Sequence, residues 1–305
     1  MKANAFLHQS VANLAWCLGS QPLMLSHPNS VYKTLDEAWF KLEFDRHLDW
    51  LYALDADPER LEAYLTSEKR IPLGKKFERY ISFWLKESPY FIPLAENVQL
   101  IGQKNTIGEI DFVFRESETE RTYHLEVACK FYLSASNNGN WEQWIGPNGN
   151  DTLRLKMDKL DKQLNVTELP EAKAWLDEQR IPKPEKALLM KGMFFHHFQS
   201  IRKAKAPHYA AKNHHTGWWL REEEMARFFG GEGSWAVLPK SDWLSNYHIN
   251  LGEDEILDGF EVQQKIKALL ETYRRSVMVV RLFPGGMGWE EGSRGFVVPN
   301  HWPNH

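Results

Sequence analysis

Two stretches decide the fold, TIGEIDFVF at residues 106–114 and RTYHLEVACKFYL at residues 121–133. In the first, Ile110, Phe112 and Phe114 alternate with Glu109, Asp111 and Val113, which predicts a strand with one apolar face and one acidic face. In the second, Tyr123, Leu125, Val127, Cys129 and Phe131 share a face, and His124, Glu126, Ala128 and Lys130 share the other. The segment between them, RESETER, is short and polar, so a hairpin is the economical connection. A turn centred between Glu118 and Thr119 sets Phe114 against Tyr123, Phe112 against Leu125 and Asp111 against Glu126. Residues so opposed have Cβ atoms about 4.5–5.5 Å apart. A slip of one residue would drive carboxylates onto an apolar side, which defends this register.

Working outward, GKKFERYISFWLKE (residues 74–87) repeats Phe77, Tyr80, Ile81, Trp84 and Leu85 at the spacing of an amphipathic helix. A strand is expected around Asn97–Ile101, before the two acidic strands. After them, an Asn- and Gly-rich loop near residues 137–150 leads into DTLRLKMDKLDKQL. Asn150 or Asp151 can cap that helix, whose buried stripe is Leu153, Met157, Leu160 and Leu164. KALLMKGMFF then reads as a strand buried on both faces. The order is helix, three strands, helix, strand.

Residues 1–66 carry helical spacing, with Trp39, Phe40, Phe44, Leu48 and Leu51 as one apolar cluster. The C-terminal third shows helical signals at Glu222–Phe229 and Val262–Tyr273 and strand signals at Val277–Phe283 and Phe296–Val298. The division expected is a helical N-terminal region (1–71), a core (72–200) and a mixed C-terminal region packed on it (201–305).

Two carboxylates facing each other on otherwise apolar strands repel unless something draws them together. A bound Mg²⁺ or Mn²⁺ would, since hard cations prefer carboxylate oxygen. Lys130 on the same face offers a cation for an oxyanion or for orienting water. That set suits metal-assisted hydrolysis of a phosphodiester. The competing reading is a solvated acidic sheet face neutralised by Lys130. A glycosidase carboxylate pair fits the spacing too, though the lysine and the element order fit it less well.

These residues resemble the PD-(D/E)XK nuclease-like superfamily, whose core has the order αβββαβ. Its motif is an acid on the second strand, then an acid followed by Lys on the third. GEID at Gly108–Asp111 and HLEVACK at His124–Lys130 look like that pair over about residues 72–197. More narrowly, the chain looks like an uncharacterised bacterial family placed in that superfamily. The resemblance implies a restriction-endonuclease-like α/β fold, Mg²⁺ or Mn²⁺ as cofactor, and DNA as substrate, with RNA as the other nucleic acid. By position it implies Asp111 and Glu126 as metal ligands, the Val127 carbonyl as a third, and Glu78 as the assisting acid of the first helix. Glu109 is a secondary candidate. Ala128 stands where the superfamily's E-x-K pattern has lysine, and Lys130 comes two residues later, so Lys130 must reach back or a bulge must shorten the path. Lys156 on the following helix could substitute. The superfamily also has members without catalysis, so a nucleic-acid- or protein-binding module on the same core is the alternative function.

From Lys186 to Arg221 there is no Asp or Glu. IRKAKAPHYAAKNHH, holding Arg202, Lys203, Lys205 and Lys212, could follow phosphates, and Trp218 and Trp219 could stack on bases. A solvated basic loop with ordinary core tryptophans explains the same residues. The His196–His197 and His214–His215 pairs lack metal-binding helical spacing, and PGGMG at Pro284–Gly288 matches no phosphate-loop pattern and reads as a turn.

Of 305 residues, 43% are hydrophobic and 26% charged, which excludes disordered, collagen-like and coiled-coil chains. The net charge of −4 argues against wholesale coating of nucleic acid or membrane but leaves local patches open. Two cysteines, Cys17 and Cys129, are too few for a disulfide framework or a thiolate zinc site, which points to a reducing compartment. The opening MKANAFLHQSVANLAWCLGS has polar breaks at Asn4, His8, Gln9 and Asn13 that a signal peptide lacks. With no run of ~20 apolar residues, the expectation is a cytoplasmic protein without a membrane partner. A homo-oligomer is compatible with the chain, although nothing in the sequence displays its surface.

Overall fold

The computed structural model describes residues 6–66, 71–102, 105–246, 248–249, 256–285 and 288–304. The N-terminal region folds into α1 (Gln9–Gly19), α2 (Glu37–Arg46), α3 (Leu48–Ala56) and α4 (Glu59–Thr66), followed by α5 (Leu73–Glu87). Asp36 caps α2 by accepting the Trp39 N–H at 2.9 Å. Asp55 accepts the Leu7 and His8 N–H groups at 2.7 and 2.9 Å, which fastens the start of α1 to the end of α3. The helical reading of this region fails over residues 20–36, which form no helix but hold a bridge from Met24 to Ala210 and β1 (Lys33–Thr34), two residues too short to show alternation.

The predicted order then appears with two unexpected elements, β5 and α7, added: α5, β2 (Phe91–Ile101), β3 (Thr106–Glu116), β4 (Thr122–Ser134), β5 (Trp144–Ile145), α6 (Leu153–Asn165), α7 (Pro170–Glu178) and β6 (Glu185–His197). The chain continues as β7 (His215–Arg221), α8 (Met225–Phe229), β8 (Ser234–Leu238), β9 (His248–Ile249), α9 (Gly259–Tyr273), β10 (Val277–Gly285) and β11 (Gly288–Val298). One mixed sheet runs β2-β3-β4-β6-β7-β11-β10-β8, continuing past residue 200 without a break. β6 lies parallel to β4, and β7 parallel to β6. Gly192, at φ 142°, permits the β6–β4 approach, because a Cβ there would collide with the Lys130 carbonyl. In the PGGMG segment Gly285 pairs with Gly288; Gly286 and Met287 lie outside the described residues.

Helices cover both faces. Val11, Leu14 and Leu18 of α1 and Phe77, Tyr80, Ile81 and Trp84 of α5 share one core with Phe112, Phe114, Leu125, Val127, Cys129 and Phe131. On the opposite face the predicted stripe of α6, Leu153, Met157, Leu160 and Leu164, packs on Ala128, Tyr132, Leu188, Met190 and Phe194. Alternation along β4 and β6 sorts these two sets, and ALLM of β6 is apolar throughout because both its faces are covered. Each such side chain fully buried contributes about 1.5–3 kcal/mol.

Three local expectations change. The cap of α6 is Thr152, which accepts the Leu155 N–H at 3.2 Å; Asp151 is drawn instead to Lys130. Trp218 and Trp219 are buried core residues with no face free for a base. In β3 the alternation slips: Ile110 packs with Val113 against Val166 and α7, while Phe112 and Phe114 face α5. That slip falls at Asp111.

Candidate functional site

The β3–β4 ladder runs from Arg115–Thr122 to Phe112–Leu125 in the expected register, and there it ends. On the other side of β3, pairing passes from Glu96–Phe112 to Val98–Ile110 and skips Asp111; Asn97, in the left-handed conformation at φ 51°, occupies the break. Asp111 and Glu126 therefore stand where two strands part. Their carboxyls take over from the ladder: Asp111 N–H donates to Glu126 Oε1 at 3.3 Å, and Val127 N–H donates to Asp111 Oδ2 at 3.0 Å. Gly108 of the GEID segment lets this part of β3 lie against the Val166 side chain, which a Cβ would strike.

The pair is nearly dry. Asp111 is 7% exposed and Glu126 0%. Burial, then the neighbouring Glu126, pushes the Asp111 carboxyl up to about 7, against the Val127 N–H, Lys156 and Lys75. Burial likewise pushes Glu126 to about 7, opposed by hydrogen bonds from Asp111 and by Lys156, and reinforced by Glu109. Such close carboxyls titrate as a unit. His124, two residues before Glu126 on the same face, lies with Nε2 3.0 Å from Glu126 Oε1. Burial lowers His124 to about 4, so its ring is neutral where it shares this hydrogen bond with Glu126. Glu126 Oε2 is buried with no hydrogen-bond partner among the described residues.

Of the other predicted candidates, Glu78, Glu109 and Lys156 interact electrostatically with this pair. Glu78 does not complete a third metal-ligating side chain beside it among the described residues. Glu78 on α5 is raised by burial and by Asp111 and Glu109, while Lys75 Nζ holds it at 2.6 Å. Lys75 in turn feels Glu78, Glu109 and Asp111, which together raise it despite burial. Lys156 stands beside the buried stripe of α6, between Leu153 and Leu160, and its ammonium makes no hydrogen bond or ion pair among the described residues. Burial lowers Lys156, Lys130 and Lys159 lower it further, and Asp111 and Glu126 oppose the shift. Lys130 is engaged elsewhere, with Nζ 2.6 Å from Asp151 Oδ2. Ala128, in the usual lysine position, is buried under α6. His124 and Lys75 were missed in the sequence; the period of two toward Glu126 and the three-residue step to Glu78 were the available signals.

A divalent cation is compatible with these residues. The orphaned Glu126 oxygen and the repelling pair both gain from one, and the Val127 carbonyl lies on the same edge as the Val127 N–H that meets Asp111. Among the described residues no group of three or more His, Cys, Asp or Glu side chains is placed to hold a metal. The donors the chain would offer a divalent ion here are two carboxylates and a carbonyl. That is ordinary for Mg²⁺, which keeps waters and takes substrate phosphate oxygens.

The basic segment is elsewhere. Arg202, Lys203, Lys205 and Lys212 are exposed on the connection after β6. Asn137 Nδ2 donates to the Lys203 carbonyl at 2.8 Å, which ties the segment to the chain beyond Ser134. Ser134 stands roughly 26 Å along β4 from Glu126 at the usual strand rise. Lys191, from the same acid-free window, is fully buried, donates to the Ser20 carbonyl and sits over the Phe40 ring.

The architecture defines a mixed α/β protein with a carboxyl pair at a parting of two strands. The chain belongs to the family described as a domain of unknown function, DUF1853, whose model matches residues 12–298. No curated protein and no solved structure matches it. No helix among the described residues is long and apolar enough to cross a membrane.

Proposed function

We propose that this chain is a Mg²⁺- or Mn²⁺-dependent nuclease hydrolysing DNA phosphodiester bonds on a restriction-endonuclease-like core. The observation that carries the reading is the buried Asp111–Glu126 pair at the end of the β3–β4 ladder, whose charge is felt by the otherwise unbonded ammonium of Lys156. The order α5-β2-β3-β4-α6-β6, with β6 parallel to β4, supports the same core. A divalent ion would supply an activated water and offset charge on the scissile phosphate. Asp111, Glu126 and the Val127 carbonyl would hold it, and His124 fixes the Glu126 carboxyl through its Nε2 hydrogen bond. Lys156 is the cation available to the phosphate oxygens, since Asp151 already engages Lys130. Glu78 and Glu109 add negative potential that favours a cation over the bare pair.

Ala128 in the E-x-K lysine position favours a second reading, a module on this core that binds nucleic acid or protein without cutting. The two separate in one assay: linear, nicked, single-stranded and branched DNA with Mg²⁺ or Mn²⁺, comparing wild type with Glu126→Ala. Cutting that requires the ion and falls at least ~10³-fold in the variant supports the nuclease. Salt-dependent DNA binding by wild type without cutting of any substrate supports the module.

A further inference from the structure

Among the described residues, β4 beyond Leu125 has no strand on its β3 side until β5 pairs with Leu133 and Ser134. The Val127 N–H points to that side, so by alternation the backbone groups of Cys129 and Phe131 do too. Along this open edge lies a cavity of about 270 Å³, lined among others by Gly74 of α5, Lys130, Phe131 and Lys240. Asn148, Lys240 and Trp243 also line a second cavity of about 420 Å³, which reaches Leu269, Tyr273 and Arg275. The two form one cleft leading away from the carboxyl pair.

The charge of this cleft is one-sided. Its cations are Lys130, Lys240 and Arg275, and its one carboxylate, Asp151, is taken by Lys130. Lys240 and Arg275 are exposed and form no ion pair among the described residues. Partial desolvation of the Lys240 ammonium, then Arg275 and Lys130, push it below its ordinary value. Lys76 Nζ donates to the Ser241 carbonyl at 3.3 Å, which holds the Lys240 turn against α5. Deeper in the larger cavity the walls turn apolar, with Val237, Leu238, Leu269 and Met278, and exposed Tyr273 stands at its mouth.

We infer that this cleft binds a single-stranded nucleic-acid segment, with backbone phosphates at Lys240 and Arg275 and an unpaired base in the apolar cavity against Tyr273. Cations spaced along a groove and an aromatic face beside an apolar recess are the two elements of single-strand recognition. A base held in a Watson–Crick pair cannot enter the recess, so duplex is disfavoured. The assignment rests on the nuclease reading only for the direction of the strand, which runs from the cleft toward Asp111 and Glu126.

The test is fluorescence anisotropy of a short labelled single-stranded DNA oligonucleotide, titrated with protein in EDTA across a series of NaCl concentrations. The Lys240→Glu/Arg275→Glu double variant is expected to lose roughly 10²-fold in affinity, with a salt slope smaller by about 1.4 for two lost phosphate contacts. Tyr273→Ala is expected to lose roughly 10-fold with its slope unchanged, because stacking releases no counterions. All three side chains are exposed, and unchanged melting curves check that the variants fold. No binding by wild type at low salt, wild-type affinity in both variants, or equal affinity for duplex overturns the inference. EDTA makes the result independent of the carboxyl pair. Cleft-dependent binding by a protein that cuts nothing leaves the inference standing and removes the nuclease. Metal-dependent cutting with binding indifferent to both variants does the reverse.

Discussion

Asp111→Asn is expected to make the metal-free protein more stable at about pH 8, by on the order of 1–3 kcal/mol, or roughly 2–6 °C in melting temperature. Unfolded carboxyls titrate near pH 4, whereas burial holds Asp111 and Glu126 at about 7 in the fold. Between these values the native state keeps protons that the unfolded chain has released. The pair's stabilisation is therefore complete below about pH 4 and is lost as pH rises through about 7. Above that, two carboxylates confront each other in a dry site. Asparagine removes one charge and keeps an oxygen for the Val127 N–H, so the cost of the buried Asp111 charge and its repulsion with Glu126 disappears in the variant, while the burial of Glu126 remains. Melting curves at about pH 5 and pH 8 check this: the gain should be present at the higher pH and shrink at the lower. A variant less stable than wild type by the same amount at both would mean that the pair is not strained.

Lys156→Ala is expected to cost about 10²–10³-fold in the rate of cleavage, and Lys130→Ala less than about 10-fold. The contrast follows from their surroundings. Lys156 interacts electrostatically with both acids and its ammonium is unpaired among the described residues, while Lys130 is bound to Asp151 at a half-exposed site. Losing Lys130 frees a carboxylate that remains in contact with water, a modest change. Single-turnover rates at saturating Mn²⁺ separate this from altered metal binding. A larger loss at Lys130 than at Lys156 would return the phosphate-facing role to the strand lysine.

The hairpin and its register were legible because alternation constrains them twice over. Phe112–Leu125 and Phe114–Tyr123 pair as their apolar faces require, and a shift of one residue would bury charge. The stripes of α5 and α6 were legible for the same reason. The break at Asp111 was not, because it depends on Asn97 across the neighbouring strand and on Val166 packing against Gly108. Asp151 looked like a helix cap, yet Thr152 is next to it and Lys130 offers a charged partner. β7 and β8 were unrecognised: Trp218, Trp219 and Trp235 fit strands, but the basic and Gly-rich stretches around them hid the alternation. The cationic cleft joins Lys130, Lys240 and Arg275 from distant parts of the chain, and no local pattern links them. The basic run at Arg202–Lys212, the loudest charge signal in the sequence, lies at the far end of β4 from the acids.

The most direct test of Asp111 and Glu126 as a divalent-cation site is calorimetric titration of Mn²⁺ into wild type and Glu126→Gln at about pH 6 and pH 8, since ligands that must lose protons bind metal more tightly as pH rises. Wild type is expected to bind one ion, more tightly at the higher pH and with proton release at the lower, and Glu126→Gln to bind none. Equal binding by the two proteins, or no binding by either, would contradict the site.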